Sequence, residues 1–236
     1  MRTASGPVIP NFGHGSSCVT GDHWFCWDWV RAHWNDTLEP ALRQHVELTL
    51  IAVGVGFVLS FALALLAHRF RRTENAIGVV AALVYTIPSI ALFQILLPFT
   101  GIDWWTIEIA LVAYTLVILF PNIVAGLRSA PDEVLEAARG MGLTQRQILW
   151  RVELPLAVPA IIGGLRIAVV STVAITTIAA LVLPDGLGKP ITDALSDPTP
   201  FKTEIYSAGA LAVALALSLD AVLVVVRHVA APWRRA

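Results

Sequence analysis

Five long apolar stretches, separated by short polar connections, dominate the pattern of this sequence. They are residues 46–67, 76–97, 106–125, 156–183 and 207–226. Each is long enough to cross the hydrocarbon core of a bilayer as an α-helix. A helix is required there, because backbone amides and carbonyls in lipid must form hydrogen bonds within their own segment. The pattern therefore predicts an all-α membrane protein with five transmembrane helices.

The composition favours the same class of protein. Of 236 residues, 56% are hydrophobic and only 14% are charged, whereas a soluble domain has about 25% charged residues. The helices of a soluble protein would also be apolar on one face rather than on every face. The formal net charge of −1 argues against a nucleic-acid partner, which would require a basic surface.

Arginines concentrate in the first and third connections and at the C-terminus. They are Arg69, Arg71, Arg72, Arg128, Arg139, Arg146, Arg151, Arg227, Arg234 and Arg235. Since basic residues accumulate on the cytoplasmic side, we expect the N-terminus outside and the C-terminus inside. The chain then divides into an extracytoplasmic segment 1–44, a membrane domain 45–229 and a cytoplasmic tail 230–236. Residues 1–44 lack the apolar region of a cleaved signal peptide, so we expect the first span to direct insertion.

Four tryptophans crowd the second half of the N-terminal segment, at Trp24, Trp27, Trp29 and Trp34. Because Trp favours the boundary between lipid and water, this pattern predicts an amphipathic helix lying on the outer leaflet. Packing of the same residues against the extracellular loops is an equal alternative.

The two cysteines, Cys18 and Cys26, both fall on the predicted outer side, where disulfides form and persist. We therefore expect a disulfide between them. A zinc site that also uses His23 and His33 is the alternative, but this spacing matches no common zinc pattern. The sequence therefore predicts no metal site.

A polar segment, residues 131–155, separates the third apolar stretch from the fourth. Its positions of interest are Glu136, Ala137, Ala138, Gly142, Val152, Leu154 and Pro155. Good helix formers follow Pro131, and Gly142 can end or bend a helix. We expect two short helices joined at a right-angled elbow, with Leu154-Pro155 beginning the turn into the fourth span. Such an elbow can pass movement from a soluble partner to the membrane helices.

The spacing of these residues resembles the EAA motif of the membrane subunits of ATP-binding-cassette importers, with Val152 at the position of the usual Ile. Residues 85–103 and 163–182 are similar to the second and fourth spans of osmoprotectant importer permeases. The turn at 183–188 matches half of the Gly-rich turn of those proteins. The resemblance implies a type I importer permease fold in a bacterial plasma membrane and the import of glycine betaine, choline or carnitine.

The resemblance also implies partners. These are ABC ATPase subunits that bind Mg-ATP, a second permease subunit, identical or different, and a separate extracytoplasmic substrate-binding protein. We expect no ATP on this chain, since Gly188-Lys189 is followed by Pro190 and forms no phosphate-binding loop. No Ser-His-Asp order, CxxC or HExxH motif predicts an enzyme. Two alternatives stay open: a permease for methionine or another amino acid and, in a different class, an ATP-independent channel or carrier.

Candidate residues for a translocation path are aromatic, hydroxyl-bearing or helix-bending. Aromatic faces attract a quaternary ammonium, and Pro88 is expected to kink the second span. Hydroxyl groups in the fourth span either line a polar path or let helices approach closely. The candidates are Tyr85, Pro88, Ser89, Phe93, Tyr114, Phe120, Thr172 and Thr176.

Charged residues inside the spans are few. Arg166 is the one basic residue well inside an apolar stretch, where a charge requires a partner. Asp220 lies at a comparable depth in the fifth span, so we predict that the two residues pair. Glu47 and Glu108 lie near the outer ends of their spans and are expected to be hydrated. A carrier would favour buried carboxylates near mid-membrane, and no carboxylate here is clearly central.

Overall fold

A computed structural model describes residues 24–197 and 201–231. Within these ranges the chain forms α-helices joined by turns and two short π-helical segments, with no strand. The helices are α1 (Trp27–Ala32), α2 (Glu39–Arg69), α3 (Arg71–Thr86), α4 (Ser89–Thr100), α5 (Trp104–Leu127), α6 (Asp132–Gly140), α7 (Gln145–Ile148), α8 (Leu154–Ala179), α9 (Gly188–Ser196) and α10 (Lys202–Ala230). The π-helical segments are Trp34–Leu38 and Leu149–Glu153. The all-α prediction is confirmed for the described residues.

Four of the described helical runs are long and apolar enough to cross a membrane, and a fifth span is broken in two. The sequence predicted a kinked second span, but α3 and α4 are separate helices bent by 100°. The break falls at Ile87, whose extended backbone has φ −76° and ψ 123°. A residue that precedes proline is pushed out of the α region by the proline ring, so Pro88 ends one helix and begins another.

The core is built around α5, which packs against α2 and α8. Near the C-terminal ends of α2 and α5, Ala64 and Ala67 lie in one cluster with Leu119 and Ile123. Near their N-terminal ends, Leu48 and Ala52 lie in a second cluster with Ile107 and Ala110. The two helices therefore run in the same direction, which is the arrangement expected of a first and a third span.

Small residues allow this close packing. A Cβ atom added to Gly56 of α2 would lie 2.5 Å from Cγ2 of Thr115 on α5. A Cβ atom added to Gly164 of α8 would lie 2.7 Å from Cβ of Asn122, also on α5. Close approach at small residues is the usual way in which membrane helices associate. The α2–α5–α8 unit is therefore closely packed.

Polar contacts close the end of the unit at which α2 begins. His45 accepts a hydrogen bond at Nδ1 from the Leu187 amide at 3.1 Å, and its Nε2 lies 3.2 Å from the Val173 carbonyl oxygen. The Gly186 amide donates to Oε1 of Gln44 at 2.9 Å. These contacts hold the turn between α8 and α9 against the first span.

The tryptophans of the N-terminal segment divide between the two alternatives that the sequence left open. Trp29 is buried, stacks on His33 and packs edge-on against Phe201. Trp24 and Trp27 are exposed, at 72% and 56% of their surface. Cys26 is buried, whereas Cys18 and His23 lie outside the described residues. The disulfide between Cys18 and Cys26 therefore stays a prediction.

Candidate functional site: the coupling segment and the membrane-facing surfaces

The polar segment between α5 and α8, residues 131–155, is called the coupling segment below. Its first helix, α6, follows Pro131 and carries Glu136 and Ala137 on the exposed side. Ala138 is 1% exposed, and its small side chain faces the rest of the molecule. Two adjacent alanines of the motif thus have different surroundings, since Ala137 is exposed and Ala138 is buried.

Gly142 makes the bend after α6. Its φ is +81°, in the left-handed region that favours glycine. A Cβ atom added there would meet no atom within 4 Å. The glycine is therefore required by backbone conformation and not by crowding within this chain.

The second half of the coupling segment begins with a capping box. The Thr144 side chain accepts a hydrogen bond from the Gln147 amide, and the Gln147 side chain accepts one from the Thr144 amide at 2.8 Å. This reciprocal pair satisfies two amides that would otherwise lack partners at the start of a helix. The beginning of α7 is thereby fixed.

The predicted turn at Leu154-Pro155 is wrong. The chain is helical without interruption from Gln145 to Ala179 and passes through the π-helical segment Leu149–Glu153. Pro155 lies in the first turn of α8, where a missing amide hydrogen is tolerated. The second short helix is therefore the first part of the long fourth span. Val152, Leu154 and Pro155 are half-buried along it.

One contact of the coupling segment was missed by sequence reasoning. Glu153 is 5% exposed, and its Oε2 lies 2.9 Å from Nε2 of His68 in the last turn of α2. The two residues are far apart in the sequence, and no spacing rule connects the end of a first span with a connection further on. Only the placement of the helices brings them together.

The candidate path residues fall into two groups. Tyr85, Pro88 and Ser89 lie at the break between α3 and α4, where Tyr85 is 66% exposed and Pro88 is also exposed. The other candidates are buried within this chain, namely Phe93, Tyr114, Phe120, Thr172 and Thr176. In this conformation the second group packs helices together, although Phe120 also lines an open groove between α3 and α5.

The buried hydroxyl groups hold the core in place. The Tyr114 hydroxyl donates to the Ile87 carbonyl at the break. The Thr115 and Thr172 hydroxyls lie 3.2 Å apart, and Thr176 donates to the Thr172 carbonyl at 2.8 Å. Of the two interpretations of the hydroxyl groups in the fourth span, this geometry supports close helix packing.

An open groove of about 940 Å³ lies between α3 and α5. Its walls are mostly apolar and include Tyr85, Phe120 and Asn122. Glu74, in the first turn of α3, forms an ion pair with Arg128, which follows the last residue of α5. Both residues line one end of the groove. The groove is therefore bounded by one fixed charged contact and one exposed aromatic ring.

The structure brings Arg166 and Asp220 together. Arg166 donates from Nε to Oδ1 of Asp220 at 2.7 Å and from Nη2 to Oδ2 at 2.9 Å. Two parallel hydrogen bonds give such a pair geometric specificity as well as energy. The contact connects α8 with α10.

Glu47 and Glu108 differ in their surroundings, and the expectation that both are hydrated is wrong for Glu108. Glu47 is exposed and pairs with Arg43 at 3.1 Å. Glu108 is 3% exposed, and neither carboxylate oxygen has a hydrogen-bond partner. On the parallel helices α2 and α5, Thr49 lies two turns before Gly56, just as Glu108 lies two turns before Thr115, which Gly56 contacts. The Thr49 hydroxyl also lacks a hydrogen-bond partner. The parallel packing of α2 and α5 places Glu108 in the interior. The sequence of one apolar stretch does not predict which of its faces is buried.

The apolar spans, joined by an exposed polar segment, define an integral membrane protein. Residues 56–233 match the family of binding-protein-dependent transport system inner membrane components. Since this match covers most of the sequence, the chain belongs to that family, whose members are membrane subunits of ABC transporters. The recognition made from the coupling segment is confirmed.

Curated relatives carry the same assignment. The chain is 35% identical over 183 residues to the osmoprotectant import permease protein OsmW of Salmonella typhimurium, covering 75% of this chain and 84% of that protein. It is 29% identical to the carnitine transport permease protein OpuCB of Listeria monocytogenes, covering 73% and 78%. It is 28% identical to the choline transport system permease protein OpuBB of Bacillus subtilis, covering 80% and 86%.

Solved structures share the fold. A chain of the MetNI methionine ABC transporter in an inward-facing conformation superimposes with a TM-score of 0.71 at 20% identity, covering 82% of this chain and 95% of that chain. A chain of an amino acid ABC transporter crystallised with histidines gives 0.70 at 16% identity, covering 85% and 97%. The predicted type I importer permease fold is confirmed.

Proposed function

We propose that this chain forms the membrane path of an ATP-driven importer for osmoprotectants such as glycine betaine, choline or carnitine. The observation that carries the proposal is the exposed coupling segment with its left-handed Gly142, in a chain whose relatives are named as osmoprotectant, carnitine and choline permeases. A permease that uses ATP must offer its ATPase a firm surface, and this segment provides one.

The ATPase partner, which holds Mg-ATP, would bind the exposed side of the coupling segment. Glu136 and Ala137 lie on that side beside Gly142, and Met141 is 75% exposed. Such a surface needs both a polar rim and an apolar anchor, and these residues supply them. We infer that the segment faces the cytoplasm, with residues 1–44 outside and residues 230–236 inside. Residues 45–229 then form the permease domain.

The path itself would run beside the break in the second span and be completed by a second permease subunit. Tyr85, Pro88 and Ser89 are available there, and an aromatic face suits a quaternary ammonium. A separate extracytoplasmic binding protein would deliver the substrate to the outer side. The buried group that includes Phe93, Tyr114, Thr172 and Thr176 would hold the wall of the path.

The test replaces Gly142 in the complete transporter, assembled with its ATPase and binding protein. Valine at φ +81° is strained by about 1–2 kcal/mol, so we expect Gly142→Val to bring uptake of radiolabelled betaine or choline down to background. Gly142→Asn should retain uptake, because Asn tolerates the left-handed region. Gly140→Val is the matched control, since Gly140 has an ordinary φ and open space around it.

All three variants should insert into the membrane in equal amounts. Wild-type uptake in the absence of a functional ATPase would contradict the proposal. So would full uptake by Gly142→Val, because the elbow would then have no part in coupling.

One observation favours the ATP-independent alternative, namely the buried and unpartnered carboxylate of Glu108. A carrier driven by an ion gradient would use such a group. Disabling the catalytic Glu of the ATPase separates the two functions, since an importer then stops and a carrier continues. The same assay tests the amino-acid alternative, because unlabelled methionine would reduce uptake of labelled betaine only if the transporter accepts methionine.

A further inference from the structure

A buried carboxylate connects the coupling segment to the first span. Glu153 is the last residue of the π-helical segment and is 5% exposed. Its Oε2 lies 2.9 Å from Nε2 of His68, whose side chain is 21% exposed. The atoms are close enough for an ion pair when the imidazole is protonated, although their alignment is not that of a hydrogen bond. A buried carboxylate requires such a partner.

Apolar side chains of the π-helical segment pack beside this pair. Leu149 and Leu154, at either end of the π-helical segment, pack against the cluster that contains Ala64 and Ala67 of α2. This cluster also contains Leu127 of α5 and Ala157 of α8, so the coupling segment packs on a core that α2 shares, and His68 supplies the direct contact with α2. A displacement of the coupling segment therefore acts on this shared core and, through Glu153, on His68.

The π-helical segment is an element that can change state. A π turn holds one more residue than an α turn, and single π turns within α-helices are frequent at functional sites. Conversion to α-helix would rotate the residues on one side by about 100° relative to the other, the angle of one residue in an α-helix. Glu153 would then leave the position that faces His68. The contact therefore depends on the state of the segment.

We propose that His68 and Glu153 form a positioning contact that makes α2 move with the coupling segment. The proposal rests on the proposed function, because it concerns how movement of the coupling segment reaches the membrane helices. Movement imposed on α6 and α7 passes through Glu153 to His68 and along α2. It then reaches α5, because Gly56 and Thr115 leave no space between these helices.

The experiment measures substrate imported per ATP hydrolysed in the complete transporter reconstituted with its ATPase and binding protein. His68→Leu removes the ring nitrogens, and Glu153→Gln removes the charge. We expect each to lower the ratio about tenfold, within the usual range of coupling between sites, while ATP hydrolysis continues. His68→Gln should retain at least half of the ratio, because its amide can still donate to Glu153.

Glu47→Gln is the matched control. It removes a carboxylate from an ion pair of the same helix, but that pair with Arg43 is exposed at the opposite end. We expect the wild-type ratio from it. A merely structural role for His68 would lower the amount of assembled transporter and leave the ratio per assembled complex unchanged.

Wild-type ratios in assembled His68→Leu and Glu153→Gln would overturn the inference and leave the proposed function intact. Failure of the proposed function looks different, since the wild type would then show no ATP-dependent uptake. If His68→Leu does not assemble, the reversed pair of His68→Glu with Glu153→His decides. A restored ratio supports the contact, and a ratio as low as that of Glu153→Gln contradicts it.

Discussion

The two sides of α5 differ in how closely they meet their neighbours. On the sides that face α2 and α8, the helices lie so close that only glycine fits at positions 56 and 164. Toward α3 the same helix borders a groove of about 940 Å³. The difference indicates that α2, α5 and α8 form a firm unit, to which the broken second span is attached by fewer contacts.

The first half of the broken span, α3, is attached to α5 by identifiable contacts at its two ends. At one end Arg128 pairs with Glu74, and at the other the Tyr114 hydroxyl donates to the Ile87 carbonyl. Between them α3 has exposed apolar side chains, Leu83 and Val79, and Val79 lines the groove. Because these contacts lie at the two ends of α3, that helix can change its distance from α5 without disturbing the packed unit. Such movement is what the proposed path would require of the helix beside it.

The largest effect is expected on the closely packed side. In Gly56→Ala the added methyl group would lie 2.5 Å from Cγ2 of Thr115. Thr115 is fully buried and lies against the Thr172 hydroxyl, so it cannot move aside easily. Overpacking of this kind costs about 1–3 kcal/mol. We therefore expect a matching fall in the free energy of unfolding, measured by denaturant titration in detergent.

Gly54→Ala is the control for this prediction. Gly54 lies on the same helix, two residues away, and a Cβ atom there meets nothing within 4 Å. We expect its stability to equal or exceed that of the wild type, since Ala favours helix over Gly by about 1 kcal/mol. Equal destabilisation by both substitutions would show that α2 and α5 are not in close contact at Gly56.

The spans and the coupling segment could be predicted from the sequence because each has a local signature. A run of apolar residues identifies a membrane helix wherever it packs, and the left-handed Gly142 belongs to a motif of fixed spacing. The pair of Arg166 with Asp220 was also predictable, because charges within apolar stretches are rare and require partners.

The inward direction of Glu108 and the contact of His68 with Glu153 were not predictable in the same way. Both depend on how one helix is rotated against another, and hydropathy carries no such information when all faces are apolar. The 100° break at Pro88 was underestimated for a related reason. Proline breaks a helix locally, but its presence in the sequence does not give the angle between the two helices, which also depends on tertiary contacts such as that of Tyr114 with Ile87.

An intermediate effect is expected at that contact. Tyr114→Phe removes the hydroxyl that donates to the Ile87 carbonyl and should lower the free energy of unfolding by about 1 kcal/mol. Hydrogen exchange should also become faster at the start of α4, where the Leu92 amide donates to the Pro88 carbonyl. Tyr85→Phe, at an exposed ring, is the control and should change neither. Unchanged exchange in Tyr114→Phe would mean that the hydroxyl does not hold the break.

The smallest effect is expected in the groove. Gly78 of α3 lines it, and a Cβ atom there meets nothing within 4 Å. Gly78→Ala should therefore leave the stability of the isolated chain unchanged or raise it by up to about 1 kcal/mol, through helix propensity alone. Denaturant titration beside Gly56→Ala provides the measurement. A loss comparable to that of Gly56→Ala would show that α3 packs on α5 as closely as α2 does, and the contrast between the two sides of α5 would then be wrong.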